Sequence, residues 1–256
     1  MEYRRPGYKM QIGLISAIPS EGSFFVKRLK LKRTRRASLI PFYSGEVEGL
    51  GIVYFISGMG KTNAAHAASV LMRDYSPSIV INFGAGGAYP HSGLGVGDVI
   101  VADAETYGDE GVLDEAGFHG TEFLGIPLLK KSGRRYFNEF GLNRGLAGRA
   151  VKSAVKAFEG AADAPKVGRG RFVTVSTCSG TRQRAAEVQK MWGAVCENME
   201  GAAIAHICAL YGVPLIEIRG VSNIVEDRDT AKWDLELASR NCCKAVAELL
   251  KALRVP

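Results

Sequence analysis

The chain has 256 residues, 46% of them hydrophobic and 23% charged, a composition that excludes collagenous, disordered and membrane-embedded proteins and suits one large domain with a buried core. Its formal charge of +7 has a local origin, because Lys27, Arg28, Lys30, Lys32, Arg33, Arg35 and Arg36 crowd one segment and the remaining bases balance the 26 acids. With no aromatic residue interleaved, that segment reads as a solvated helix end or loop, and no nucleic-acid partner is expected.

Residues 1–10 form a basic N-terminal extension. Met10–Ala17 is apolar and predicts a short buried strand, closed by the turn signals Pro19-Ser20-Glu21-Gly22 and too short for a secretory signal. A helix is predicted to follow toward Leu31. Ile52–Ile56 predicts a second strand, and Ser57-Gly58-Met59-Gly60 then turns into a helix over Lys61–Arg73, where Ala and Leu recur at helical spacing. Ile79–Phe83 predicts a third strand running into Gly84-Ala85-Gly86-Gly87, read as a flexible turn that admits a ligand close to the backbone. The charge-free stretch Tyr75–Gly97 is too rich in Gly, Ser and Pro to span a bilayer, so no membrane association is expected.

Further strands are predicted at Val99–Ala102, Phe172–Ser176, around Val195 and at Leu215–Ile218, with helices at Arg182–Met191, Met199–Leu210 and Trp233–Leu253. Asp103–Pro127 and Glu159–Arg171 read as surface loops. Short strands alternating with helices predict a single α/β domain over residues 1–256, a central, mostly parallel, twisted sheet with helices on both faces. Ligands of such sheets sit beyond the carboxyl ends of the strands, which directs attention to the segments 17–21, 57–60, 84–87, 176–181 and 222–227.

Two motifs fall short. Gly60-Lys61-Thr62 would end a phosphate-binding P-loop, but the glycine required five residues earlier is Phe55. Gly84-x-Gly86 would begin a dinucleotide fingerprint, but the third glycine falls on Tyr89. The cysteines, Cys178, Cys196, Cys208, Cys242 and Cys243, are odd in number and contain no C-x-x-C pair, so neither zinc nor a disulfide framework is expected. Reduced thiols acting as small hydrophobes point to a cytoplasmic location.

Four features in order resemble the nucleoside phosphorylase and nucleosidase superfamily: Ile12-Gly13-Leu14-Ile15-Ser16-Ala17 with Glu21; Ser57-Gly58-Met59-Gly60-Lys61; Asn82-Phe83-Gly84-Ala85-Gly86-Gly87 followed by Gly97-Asp98-Val99; and Met199-Glu200 followed by Arg219-Gly220-Val221-Ser222-Asn223. The stretches Thr174–Thr181, Glu197–Ala203 and Glu217–Asn223 are most similar to the futalosine hydrolases within that superfamily. The resemblance implies hydrolysis of the N-glycosidic bond of a 6-oxopurine nucleoside, futalosine, releasing hypoxanthine on a route to menaquinone. It implies no metal or organic cofactor, and a homo-oligomer with sites close to a subunit interface. The rival readings are a methylthioadenosine/adenosylhomocysteine-type nucleosidase and a nucleoside-binding or storage protein without turnover.

The resemblance also assigns roles. Glu21 would take a proton from the attacking water; on spacing alone it is equally a first-turn acid favoured by the helix dipole. Glu200 would bind the ribose hydroxyls, a match for its two oxygens, or else serve as a helix-start acid. Met199 would wall the sugar or fill core, beside Asn198. Ala85, Gly86 and Gly87 would line the ribose side, with Ala85 where adenosine-type nucleosidases commonly carry Ser. Ser176 and Cys178 belong to the loop over the base, which lacks the aromatic stacking residue of relatives. Asn223 stands where adenosine-type nucleosidases have Asp: its amide can donate to both N7 and O6 of a 6-oxopurine. The arginines that hold phosphate in bacterial phosphorylases have no counterpart at residues 18–22 or before Gly84, so water is the implied nucleophile.

Overall fold

A computed structural model describes residues 10–33 and 40–254. Residues 1–9 of the N-terminal extension, and Arg35 and Arg36 of the basic segment, lie outside the described residues; Lys27, Arg28, Lys30, Lys32 and Arg33 are exposed, as a solvated segment requires.

Strand β1 (Gln11–Ser16) leads into helix α1 (Pro19–Arg28), whose first position holds the proline that helix starts favour. Three strands follow, β2 (Lys32–Arg33), β3 (Phe42–Val47) and β4 (Leu50–Ile56), then α2 (Lys61–Tyr75) and β5 (Ile79–Ala88). The chain continues through β6 (Val99–Tyr107), the hairpin β7 (Gly111–Asp114) and β8 (Gly117–Gly120), and the short strands β9 (Leu129–Lys131), β10 (Arg134–Tyr136) and β11 (Glu139–Gly141). Helix α3 (Arg144–Lys156), β12 (Val167–Thr174), α4 (Arg182–Trp192), β13 (Ala194–Asn198), α5 (Gly201–Tyr211), β14 (Leu215–Ile224) and α6 (Leu235–Ala252) complete it.

The main sheet runs β11-β6-β12-β13-β5-β1-β4-β3-β2, and β14 pairs with both β5 and β6. That double pairing closes β5, β13, β12, β6 and β14 into a ring, so part of the sheet is a barrel. The long pairings β1–β4, β1–β5, β14–β5, β12–β6 and β12–β13 are parallel; β3, β11, β2 and the short β13–β5 and β14–β6 contacts are antiparallel. Alternation along the strands separates two cores. Ile79, Ile81, Phe83, Ile216 and Ile218 pack with Cys242, Val246 and Leu249 of α6. Val80 and Leu215 face the other way, against Leu71 of α2 and Ala202 and Ile204 of α5.

Three sequence expectations are corrected, and one helix is added. Gly84–Gly87 is not a turn but part of β5, which pairs with β14 as far as Ala88; the glycines give close approach, since a Cβ on Gly86 would lie 2.7 Å from Cys196 Sγ. The Asp103–Pro127 segment contains the end of β6 and a paired hairpin, too short and too polar to show a strand period. The second loop ends at Lys166, because β12 begins at Val167; Arg169 and Arg171, which read as loop, pair with Asp103 and Glu139 on neighbouring strands. Helix α3, capped by Asn143, carries no sequence signal recognised above.

Candidate active site

Strand β1 ends at Ser16, and the turn into α1 places Glu21 in the first helical turn, where its carboxylate folds back onto the chain: Oε2 accepts from the backbone N–H groups of Ala17 at 2.9 Å and Ile18 at 3.1 Å. Its other oxygen reaches across the sheet and accepts from Ala85 N at 2.8 Å. A Cβ on Gly84 would collide with Glu21 Oε1, so this approach depends on glycine. Glu21 is buried, and that burial raises its pKa above the usual carboxylate value against the opposing pull of Arg219 and of the backbone donors.

Glu200 arrives from the opposite side as the residue preceding α5. Asn198 sets its backbone: Oδ1 accepts from Glu200 N at 2.9 Å and Gly201 N at 2.7 Å. The Ser57–Gly60 turn, with Gly58 and Gly60 at φ of 89° and 93°, delivers Gly60 N to Glu200 Oε1 at 2.9 Å. Arg219 joins the two acids. Its Nη1 donates to Ala85 O at 3.1 Å and lies 3.7 Å from Glu200 Oε2, and its Nε donates to Glu217 Oε1 at 2.9 Å. Its Nη2 lies 2.8 Å from the same Glu217 oxygen without hydrogen-bond alignment. Arg219 is 1% exposed, a fixed cation among carboxylates rather than a free hand for a ligand.

Asn223 sits further along β14, opposite Gly87, two positions from Ala85 on β5 and so about 7 Å along the strand. Ser222 Oγ donates to Asn223 Oδ1 at 2.8 Å, which fixes the carboxamide by its oxygen, and Nδ2 donates to Ile224 O at 3.2 Å, which leaves one of its two hydrogens unused. The half-buried side chain lines a cleft of about 180 Å³ together with Ser179, Arg228 and Trp233. Glu21 lines a separate groove of about 520 Å³ with Phe24, Leu235 and Ser239. The structure therefore brings Glu21, Glu200, Ala85 and Asn198 together, and leaves Asn223 on the same strand pair but opening beyond the segment that carries Trp233 and Leu235.

Met199 is half-buried beside Glu200, and Gly86 and Gly87 are buried between β14 and β13. Ser176 and Cys178 are exposed; Ser176 N donates to Asp109 Oδ2 at 2.5 Å. The buried member of that loop is Ser179, whose N and Oγ donate to the two oxygens of Glu197 at 2.8 and 2.7 Å, while Tyr89 OH donates to Glu197 at 2.7 Å. Lys61 pairs with Asp109 and Glu110. Asn198 is engaged within the protein: Nδ2 donates to Glu105 Oε1 at 2.7 Å and Oδ1 serves the start of α5, so its carboxamide organises Glu200.

Three participants escaped sequence reasoning: Gly60 N, Glu105 and Glu217. The last had a signal, because Glu217 and Arg219 alternate within the apolar run Leu215–Val221 and share a face with each other. A charge on each of two same-face positions of a buried strand announces a buried pair.

The sequence profile of the phosphorylase superfamily matches residues 11–253. A futalosine hydrolase of Thermus thermophilus is 34% identical over 219 residues, covering 82% of this chain and 90% of that protein. A 5'-methylthioadenosine/S-adenosylhomocysteine nucleosidase of Maridesulfovibrio salexigens is 29% identical over 248 residues, covering 95% of this chain and all of its own. Among solved structures, the nucleosidase of the same kind from Neisseria meningitidis, in complex with methylthio-immucillin-A, superposes with a TM-score of 0.80 at 28% identity, over 95% of this chain and 100% of that one. The chain belongs to the phosphorylase superfamily, as an N-glycosyl hydrolase.

Proposed function

We propose that the protein hydrolyses the sugar–purine bond of a 6-oxopurine nucleoside, futalosine in the first place, releasing hypoxanthine. The observation that carries the choice of base is Asn223, which lines the cleft with its carboxamide oxygen held by Ser222, so that its NH2, one hydrogen of which is shared with Ile224 O, is the end left for a base. The 6-oxopurine edge offers two acceptors, N7 and O6, and a carboxamide supplies donors for both. The 34% identity to a futalosine hydrolase supports the same reading.

In the proposed reaction the C1′–N9 bond breaks through an oxocarbenium-like sugar while water attacks C1′. Glu21 takes the water's proton, and its raised pKa suits a base poised nearer neutrality than an exposed carboxylate. Glu200 accepts from the ribose hydroxyls, Met199 packs on the sugar, and Ala85, Gly86 and Gly87 line it. Asn223 donates to the departing purine anion, which leaves with the bond's electron pair and acquires its proton from solvent, since an amide has none to give. Ser176 and Cys178 stand at the base-side loop. The Arg219–Glu217 pair keeps Arg219 inside the protein, away from any direct contact with the substrate.

A second reading, a methylthioadenosine/adenosylhomocysteine-type nucleosidase, is favoured by the relatives themselves: those of M. salexigens, Actinobacillus succinogenes, Oceanobacillus iheyensis and Bacillus subtilis, and the N. meningitidis structure, bear that name. Incubation with futalosine and with methylthioadenosine in phosphate-free buffer separates the two. Hypoxanthine from the first supports our reading, adenine from the second supports its rival, and saturable binding without product would make the chain a binding protein.

The proposal extends to surroundings. The exposed apolar side chains Leu113, Phe123, Leu124 and Ile126 support a homo-oligomer that covers them. No nucleic acid is required as a partner, and the free thiols suit a cytoplasmic location. Among the described residues no helix is long and apolar enough to cross a membrane, and no group of three or more His, Cys, Asp or Glu is placed to hold a metal ion.

A further inference from the structure

Behind Glu200 lies a second carboxyl pair that the reaction above does not use. Glu105 on β6 and Glu217 on β14 are fully buried. Each of the neighbouring strands sends one polar group to them: Asn82 Nδ2 donates to Glu217 Oε1 at 2.9 Å, Thr174 Oγ1 to Glu105 Oε2 at 2.7 Å, and Asn198 Nδ2 to Glu105 Oε1 at 2.7 Å. Gly201 leaves room for both acids at the head of α5, because a Cβ there would collide with Glu105 Oε1 and lie 2.6 Å from Glu217 Oε1.

One atom breaks the pattern. Glu217 Oε2 is buried without a hydrogen-bond partner among the described residues, although the adjacent oxygen of the same carboxylate takes Asn82 and Arg219. An orphaned acceptor next to a second carboxyl group calls for a proton between them, and two buried anions sharing one guanidinium, which also serves Glu200, would be costly. Burial, with the neighbouring Glu217, holds the Glu105 carboxyl well above the usual carboxylate range.

We propose that Glu105 is a neutral acid that donates to Glu217 Oε2, and that this shared-proton pair positions Glu200 for its ligand. Each member holds one of the residues that, with Gly60 N, grip Glu200. Glu105 holds Asn198, whose oxygen fixes the Glu200 backbone, and Glu217 holds Arg219, which lies 3.7 Å from the Glu200 carboxylate. With Glu105 neutral, Arg219 answers one charge from the pair and keeps its place beside Glu200. Loss of the proton adds a second charge, draws Arg219 toward the pair and loosens Glu200. The positioning role rests on the reading of Glu200 as the sugar ligand; the proton does not.

The charged and titratable groups facing the pair are Arg219 from β14, Cys196 from β13, Tyr107 from β6, Glu200 at the head of α5 and Cys208 within α5. Burial pushes both cysteine thiols and the Tyr107 hydroxyl upward, so they stay neutral at neutral pH and Arg219 stays charged.

Infrared difference spectra against pH test the proton without any nucleoside. The wild-type chain is expected to show a carboxylic-acid carbonyl band at pH 8 that Glu105→Gln lacks; a band that persists in the variant, or is missing from the wild type, overturns the proposal. Kinetics on the nucleoside turned over best test the positioning. Glu105→Gln keeps an acceptor for Asn198 and an N–H for Glu217, so KM stays within about threefold of wild type and its alkaline rise disappears. Glu105→Leu removes both groups and raises KM about tenfold or more, with a smaller change in kcat. Should that variant fail to fold, Glu217→Gln preserves shape and is expected to raise KM similarly. Wild-type KM in Glu217→Gln, or an unchanged alkaline rise in Glu105→Gln, overturns the positioning role. A chain that hydrolyses no purine nucleoside contradicts the proposed function and leaves the infrared result to decide the proton.

Discussion

Glu21 and Ala85 are joined across the sheet by a 2.8 Å hydrogen bond from the Ala85 amide to Glu21 Oε1, although 64 residues separate them in the chain. On its other side Ala85 offers its carbonyl to Arg219, which in turn lies beside Glu200. One residue of β5, through its N–H on one side and its C=O on the other, thus connects the proposed base to the arginine beside the proposed sugar ligand.

The collision that a Cβ on Gly84 would make with Glu21 turns this connection into a prediction. With φ at 159° the backbone there also disfavours an L side chain, so Gly84→Ala combines backbone strain with displacement of the carboxylate. It is expected to lower kcat by about ten- to a hundredfold and to lower the melting temperature as well, measured by steady-state kinetics and thermal unfolding.

Glu21→Gln is expected to lower kcat by about two to four powers of ten while KM changes little, because a proton acceptor is lost and the shape is kept. Near-wild-type turnover would remove Glu21 from the mechanism.

The same residue links activity and stability to pH. Its pKa is raised in the folded state, so its contribution to stability is fullest below the ordinary carboxylate value and is lost as pH rises through the raised one. The melting temperature of wild type relative to Glu21→Gln, which titrates no group there, is therefore expected to fall as pH rises from acid to neutrality. In the wild-type enzyme kcat/KM is expected to rise with pH through a midpoint above 4.5 as Glu21 ionises. A difference in melting temperature that does not fall as pH rises would contradict this account of the buried acid.

Asn223→Asp exchanges the proposed donor pair for a carboxyl group. The ratio of kcat/KM for a hypoxanthine nucleoside over its adenine analogue is expected to fall by about two powers of ten. An unmoved ratio would assign base recognition to the Ser176–Thr181 loop.

Much of this was legible in the sequence for physical reasons. Ile12–Ile15, Ile52–Ile56 and Ile79–Phe83 are buried on both faces, and continuous apolar runs are how such strands read. The glycines of residues 84–87 misled because glycine serves close packing as readily as turning, and only the neighbouring strands decide which. The hairpin at 111–120 and the start of β12 were hidden by polar side chains that answer partners far along the chain, such as Arg169 with Asp103. Glu21, Glu200 and Asn223 were found by resemblance, whereas Gly60 N contributes through its backbone, on which sequence carries no label. Glu105 and Glu217 needed the barrel closure by β14, which no local pattern encodes.

Asn223 and Glu21 open onto separate clefts in the free chain, yet the account requires them to serve one ligand. A crystal structure with hypoxanthine and a ribose analogue tests that requirement most directly. The account predicts Asn223 Nδ2 within hydrogen-bond reach of the purine N7 or O6, and the Glu200 carboxylate on the sugar hydroxyls, with Glu21 facing C1′ from below. A purine bound away from Asn223, or a sugar that touches neither acid, would contradict it.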